Sequence, residues 1–248
     1  MEEPKGNQNS GLVPVKKYGS WGFANKEGKL VIPCNWKYAF SFSEGLAYVE
    51  DYDKKHFYIN EIGNVVISSP WSWADGFVEG LARIRNEKKE YGFMDKTGSV
   101  VIPCKWMYAH CFNSGLALVQ DNNGKKGFID KHGNVVIPCK WNNASDFSEG
   151  LAKVQDENNK CGYIDMSGNV VIACKWVEAL DFSEGLAGVK GRDAKSLGYQ
   201  KWGYIDTKGN VVIPFTWDFA DNFVNGFAKV QNRNSNLLTI DKTGKITE

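Results

Sequence analysis

Residues 161–189 read CGYIDMSGNVVIACKWVEALDFSEGLAGV. This stretch is one full period of a pattern that recurs along almost the whole chain. Its Gly168 is echoed at Gly28, Gly63, Gly98, Gly133, Gly209 and Gly244. A second series runs Gly11, Gly45, Gly80, Gly115, Gly150, Gly185 and Gly226. Trp176 is echoed at Trp36, Trp71, Trp106, Trp141 and Trp217. Neighbouring glycines of the first series stand 35 residues apart, except for the 41 between Gly168 and Gly209. The extra residues fall within 191–201 (GRDAKSLGYQK), which reads as a longer loop between strands. A fixed period of this size marks a repeat architecture in which each unit is one supersecondary element.

Each period reads as three strands. The first is GLAxV, as in Leu151–Gln155, and the polar stretch 156–160 turns the chain. The second is the GYID segment 162–165, and Asp165-Met166-Ser167-Gly168 makes a tight turn into the third, 169–176. Val, Ile, Tyr and Phe bounded by Gly, Asn and Asp clusters are the strand-and-hairpin signal. Connections this short make successive strands antiparallel. The stretch from Trp176 to the next S-E-G turn reads as a surface connection. Along the third strand Val170, Ile172, Cys174 and Trp176 share one face and Val171 the other. Both faces are apolar near the strand start, so both are expected to pack against something.

The fold class is therefore all-β, with about seven three-stranded antiparallel units. A strand at 12–16 and a second and third at 238–247 are left over at the two ends. Together they would complete a seventh unit, as in a closed β-propeller whose termini share a blade, with no exposed strand edge left over. An open β-solenoid or superhelix is the alternative. Nothing resembling a linker divides residues 11–248, which read as a single domain behind a flexible polar tail, 1–10 (MEEPKGNQNS).

Composition limits the function. The 248 residues carry 30 Lys+Arg against 29 Asp+Glu, a net charge of +1. That balance argues against nucleic acid and anionic membrane as partners, since both call for a basic stripe. No apolar run approaches the roughly 18 residues needed to span a bilayer. The polar start carries no signal-peptide core, so a cytoplasmic location is expected.

The consensus [W/Y]-G-[F/Y]-I-D-x-x-G-N-V-V-I-P-x-x-W-x-x-A-x-x-F-S-E-G-L-A-x-V resembles the WG-repeat (KWG-repeat) family over residues 11–245. The literal pair stands at Trp21-Gly22 and Trp202-Gly203. Other copies read Tyr91-Gly92, Lys126-Gly127 and Cys161-Gly162, and the copy at Phe57-Tyr58 lacks the glycine. The resemblance implies a bacterial protein with a role in interactions, and it carries no catalytic residues with it.

Several residue types that carry chemistry elsewhere read here as framework. Asp95, Asp130, Asp165, Asp206 and Asp241 open the D-x-x-G turn, and Asn25 and Asn60 replace two of them. Asx at the first turn position and Gly at the fourth describe a backbone turn better than a ring of cation sites. The recurrent tryptophans could be sugar-stacking platforms, one per repeat, but they share strand parity with Val and Ile and read as core. Cys34, Cys104, Cys139 and Cys174 alternate with Ser69 and Phe215, as packing positions do, while Cys111 and Cys161 have no counterparts. No C-x-x-C pair suggests a metal, and no cofactor motif is present. His56, His110 and His132 lack a nucleophile at any recognised spacing, so no catalytic residue is expected and the chain reads as non-enzymatic. Glu44, Glu79, Glu149 and Glu184 read as solvated turn charges.

The informative signal is variation inside the constant frame. The second residue after each recurrent Trp is Tyr38, Trp73, Tyr108, Asn143, Glu178 or Phe219. In repeat proteins the framework stays uniform and the binding face diverges. These six are the candidate binding residues of a scaffold that holds a protein partner. The alternative is a carbohydrate-binding repeat protein with one aromatic pocket per unit.

Overall fold

The computed structural model describes residues 11–191, 200–233 and 236–247. The tail 1–10 and most of the inserted loop, 192–199, lie outside the described residues. The chain divides into two compact units, residues 1–123 with 129–135 and residues 124–128 with 136–248.

Among the described residues the strands form seven antiparallel sheets, each contiguous in sequence. In a representative sheet Asn143–Ala144 pairs with Leu151–Gln155, which pairs with Cys161–Asp165, which pairs with Val170–Trp176. The repeat thus has four strands, not three. The segment after each Trp, read as a connection, contributes a two-residue edge strand to the following sheet, with Asn143 opposite Gln155 and Ala144 opposite Val154. A two-residue strand carries no periodicity, which is why the sequence hides it. Val13–Lys17 pairs with Ser20–Ala24, and Leu238–Asp241 pairs with Phe227–Gln231 and Ile246–Thr247.

Both units use one packing motif. The aromatic of the second long strand meets the phenylalanine of the following A-x-x-F segment edge-on or tilted. In the first unit the pairs are Phe23–Phe42, Tyr58–Phe77 and Phe93–Phe112, with ring centroids 4.7, 5.1 and 4.8 Å apart. In the second they are Phe128–Phe147, Tyr163–Phe182 and Tyr204–Phe223, at 4.8, 4.8 and 4.9 Å. Tilted or edge-to-face pairs at this separation add to the area they bury. Where the residue is tyrosine its hydroxyl donates to a backbone carbonyl, Tyr163 to Leu180 at 2.7 Å and Tyr204 to Asp221 at 2.7 Å.

The outer strand departs from simple alternation. Tyr163 stands opposite Ile172 and Ile164 opposite Val170, so Val171 is bulged. Val170 and Val171 are 51% and 43% exposed, while Ile172 is buried. Both faces were expected to pack here, but the bulge turns the two valines outward and only the isoleucine inward. A second bulge sets residues 173–175 against Gly162 alone, between the pairs Cys161–Trp176 and Tyr163–Ile172. A Cβ on Gly162 would lie 2.5 Å from the Ile172 carbonyl oxygen. The glycine of the W-G pair is thus required by close backbone approach. The repeat that lacks it confirms the reason: Phe57 pairs in register with Ser68, and the outer strand shortens to Val65–Ser69.

Candidate functional site

Each edge strand follows a recurrent Trp and precedes a hairpin whose two central residues have positive φ. In Ser183-Glu184-Gly185-Leu186 these are Glu184 at 55° and Gly185 at 83°, the geometry of a two-residue I′ turn. A glutamate in the left-handed region is costly without compensation. The compensation comes from repeat-to-repeat contact. Glu79 accepts from the N–H of Ser114 at 2.7 Å and of Gly115 at 3.0 Å. Glu149 accepts likewise from Glu184 at 2.6 Å and Gly185 at 2.9 Å. Lysines of the D-x-x-G turns close the arrangement, Lys96 on Glu44 and Lys131 on Glu79, both at 3.1 Å. These glutamates are structural ties rather than solvated charges. Sequence reading missed them because their partners are main-chain N–H groups one repeat away.

The edge strands present the variable residues. In the second unit Asn143, Glu178 and Phe219 come together on one cleft of about 530 Å³. The alanines that follow them, Ala144, Ala179 and Ala220, also line it. Phe219 is 44% exposed, and Trp202 lines the same cleft. Its charges are arranged in pairs: Lys190 meets Glu178 at 2.6 Å, and Lys201 meets Asp218 at 2.7 Å. The Lys201 hydrogen bond holds the Asp218 carboxyl below its usual range. Asn143 Oδ1 accepts from Lys126 Nζ at 2.5 Å.

In the first unit Trp73 and Tyr108 are joined through Tyr91, with centroids 6.2 Å and 5.7 Å apart along the row. Arg83 lies over this row, its Cζ 4.9 Å from the Trp73 ring and 5.5 Å from Tyr91. It is fixed there by Asp75 at 2.6 Å and by the Ala109 carbonyl. Burial pushes the Asp75 carboxyl above its usual range, against the pull of Arg83. Tyr38 belongs to neither group; its ring is met by Lys37 Nζ at 5.1 Å.

The framework readings find their geometry. Asp165 Oδ1 accepts from the N–H of Ser167 and of Asn169, both at 2.9 Å, as a turn cap does. Trp106, Trp141 and Trp176 are each 6% exposed and Trp217 7%, as core residues are, whereas Trp36 and Trp71 are half-buried. Burial pushes the Cys174 thiol up to about 11, the opposite of an activated cysteine. Among the described residues no group of three or more His, Cys, Asp or Glu is placed to hold a metal ion.

A β-repeat scaffold with constant cores and variable edges is the class of protein that this fold and these surfaces define. The family of WG containing repeats matches residues 21–54, 57–89, 91–125, 127–161, 162–192 and 202–235, and the chain belongs to it. No curated protein matches the chain in sequence. Among solved structures it is similar to the computationally designed Ika8 protein, at 10% identity and a TM-score of 0.48 over 98% of this chain and 87% of that one. It is similar to BamB from Moraxella catarrhalis at 9% identity and a TM-score of 0.46, over 97% and 87%. Sqt1 from Saccharomyces cerevisiae gives 10% identity and a TM-score of 0.48, over 98% and 83%.

Proposed function

We propose that this chain is a non-catalytic scaffold that holds a protein partner along its two-residue edge strands. One observation carries the reading. A position that changes character freely from repeat to repeat, the second after each Trp, always opens an edge strand, and in the second unit three such residues line one cleft. Framework residues are uniform because they are buried; an edge position in a cleft answers to whatever fills it. Trp73 and Tyr91 beside Arg83 are also the residue types enriched in interface hot spots.

The test is a quantitative pull-down from source-organism lysate with two baits, wild type and Glu178→Ala/Phe219→Ala. A protein enriched at least several-fold by wild type and lost with the double variant is the expected result. Titration of simple sugars with tryptophan fluorescence runs beside it. A saturable sugar response without any differential protein would replace the scaffold reading by carbohydrate binding.

A further inference from the structure

We propose that the second repeat carries a docking site for an acidic protein segment, centred on the guanidinium of Arg85. The inference rests on the scaffold reading and names the partner chemistry at one surface of the first unit. The strand Leu81–Arg85 reads LARIR, with arginine at both of the positions that vary along the first long strand. Arg83 is committed to Asp75 and to the Ala109 carbonyl. Arg85 is not committed. Its cross-strand neighbours are Trp73 on one side and Tyr91 on the other, and its Cζ stands 6.0 and 5.9 Å from their rings. Its Nε is buried without a hydrogen-bond partner, and among the described residues Arg85 forms no ion pair. The nearby carboxylates are engaged elsewhere: Asp75 by Arg83, and Glu90 by the Asn86 side-chain amide at 2.9 Å.

A half-buried guanidinium flanked by two rings is pre-organised and poorly neutralised. Its terminal N–H donors match a carboxylate, and the rings on either side restrict its motion, so less freedom is lost on binding. Tyr108, 38% exposed, extends the aromatic row beside it and gives an apolar neighbour for the same segment. The occupant is therefore a stretch of a partner protein with Glu or Asp side chains.

The probe is a fluorescein-labelled hexaglutamate peptide, with hexaglutamine as its neutral counterpart, followed by anisotropy on the full chain. Wild type is expected to bind hexaglutamate and not hexaglutamine. Arg85→Gln should weaken binding roughly tenfold or more, as loss of a charge-assisted pair does. Arg85→Lys should fall between, because it keeps the charge and loses the fork. Lys140→Gln removes the same charge from an exposed site elsewhere and should bind like wild type. Equal losses in Arg85→Gln and Lys140→Gln, or no hexaglutamate binding by wild type, would overturn the site; matching melting curves ensure that the variants compared are folded. If Arg85→Gln binds hexaglutamate like wild type while the edge-strand variant loses its lysate partner, the acidic site falls and the scaffold reading stands. If wild type enriches no protein from lysate, the scaffold reading fails whatever the peptide does.

Discussion

At Gly162 an added Cβ would sit 2.5 Å from the Ile172 carbonyl oxygen and 2.8 Å from the Cys174 nitrogen. Neither is the end of a flexible side chain, so the outer strand itself would have to move. Gly162→Ala is therefore expected to destabilise by about 2–3 kcal/mol, the scale of an overpacked core. Denaturant unfolding measures this, and an effect under about 0.5 kcal/mol, the range of ordinary surface changes, would show that the bulge is not what fixes the glycine. The natural control lies in the same chain. Phe57 occupies the equivalent position, and there the outer strand runs in register past it with Ser68 opposite.

Between elements, the S-E-G hairpin ties one repeat to the next, and the tie depends on charge. Burial works to raise the Glu79 carboxyl, but the Lys131 hydrogen bond and the N–H groups of Gly115 and Ser114 together bring it below its usual range. A depressed carboxyl contributes stability that is complete above its unfolded value, near 4.3, and is lost as pH falls through the folded value. Glu79→Gln is expected to cost about 1 kcal/mol at pH 7, as a weakened charged hydrogen bond does, and almost nothing at pH 2. Thermal unfolding of both proteins across that pH range checks it; a deficit independent of pH would mean that shape, not charge, makes the tie. This tie was not legible in the sequence, where Glu184 before Gly185 looks like any exposed turn charge. What was legible follows from local chemistry. The D-x-x-G turn, the strand Leu151–Gln155 and the burial of Trp176 all follow from residue type and spacing. The edge strand at Asn143–Ala144 and the exposure of Val170 and Val171 depend on pairing and bulges, which leave no period behind. Of the candidate site, the six positions were readable as variable, but the grouping of Asn143, Glu178 and Phe219 on one cleft required the fold.

Over the whole chain, constant residues build the repeats, while the edge position and two positions of the first long strand vary from copy to copy. Under the proposed function, folding and recognition are separable, so each can be changed without the other. Replacing Tyr38, Trp73, Tyr108, Glu178 and Phe219 by asparagine, the residue already at Asn143, leaves every buried ring pair in place. The most direct measurement is retention of the wild-type chain's own lysate partner by this uniform-edge variant, scored beside its melting curve. Near-wild-type melting and loss of the partner are the expected result. A folded variant that still retained the partner, or one that no longer folded, would contradict it, because the edge positions would then be idle or part of the framework.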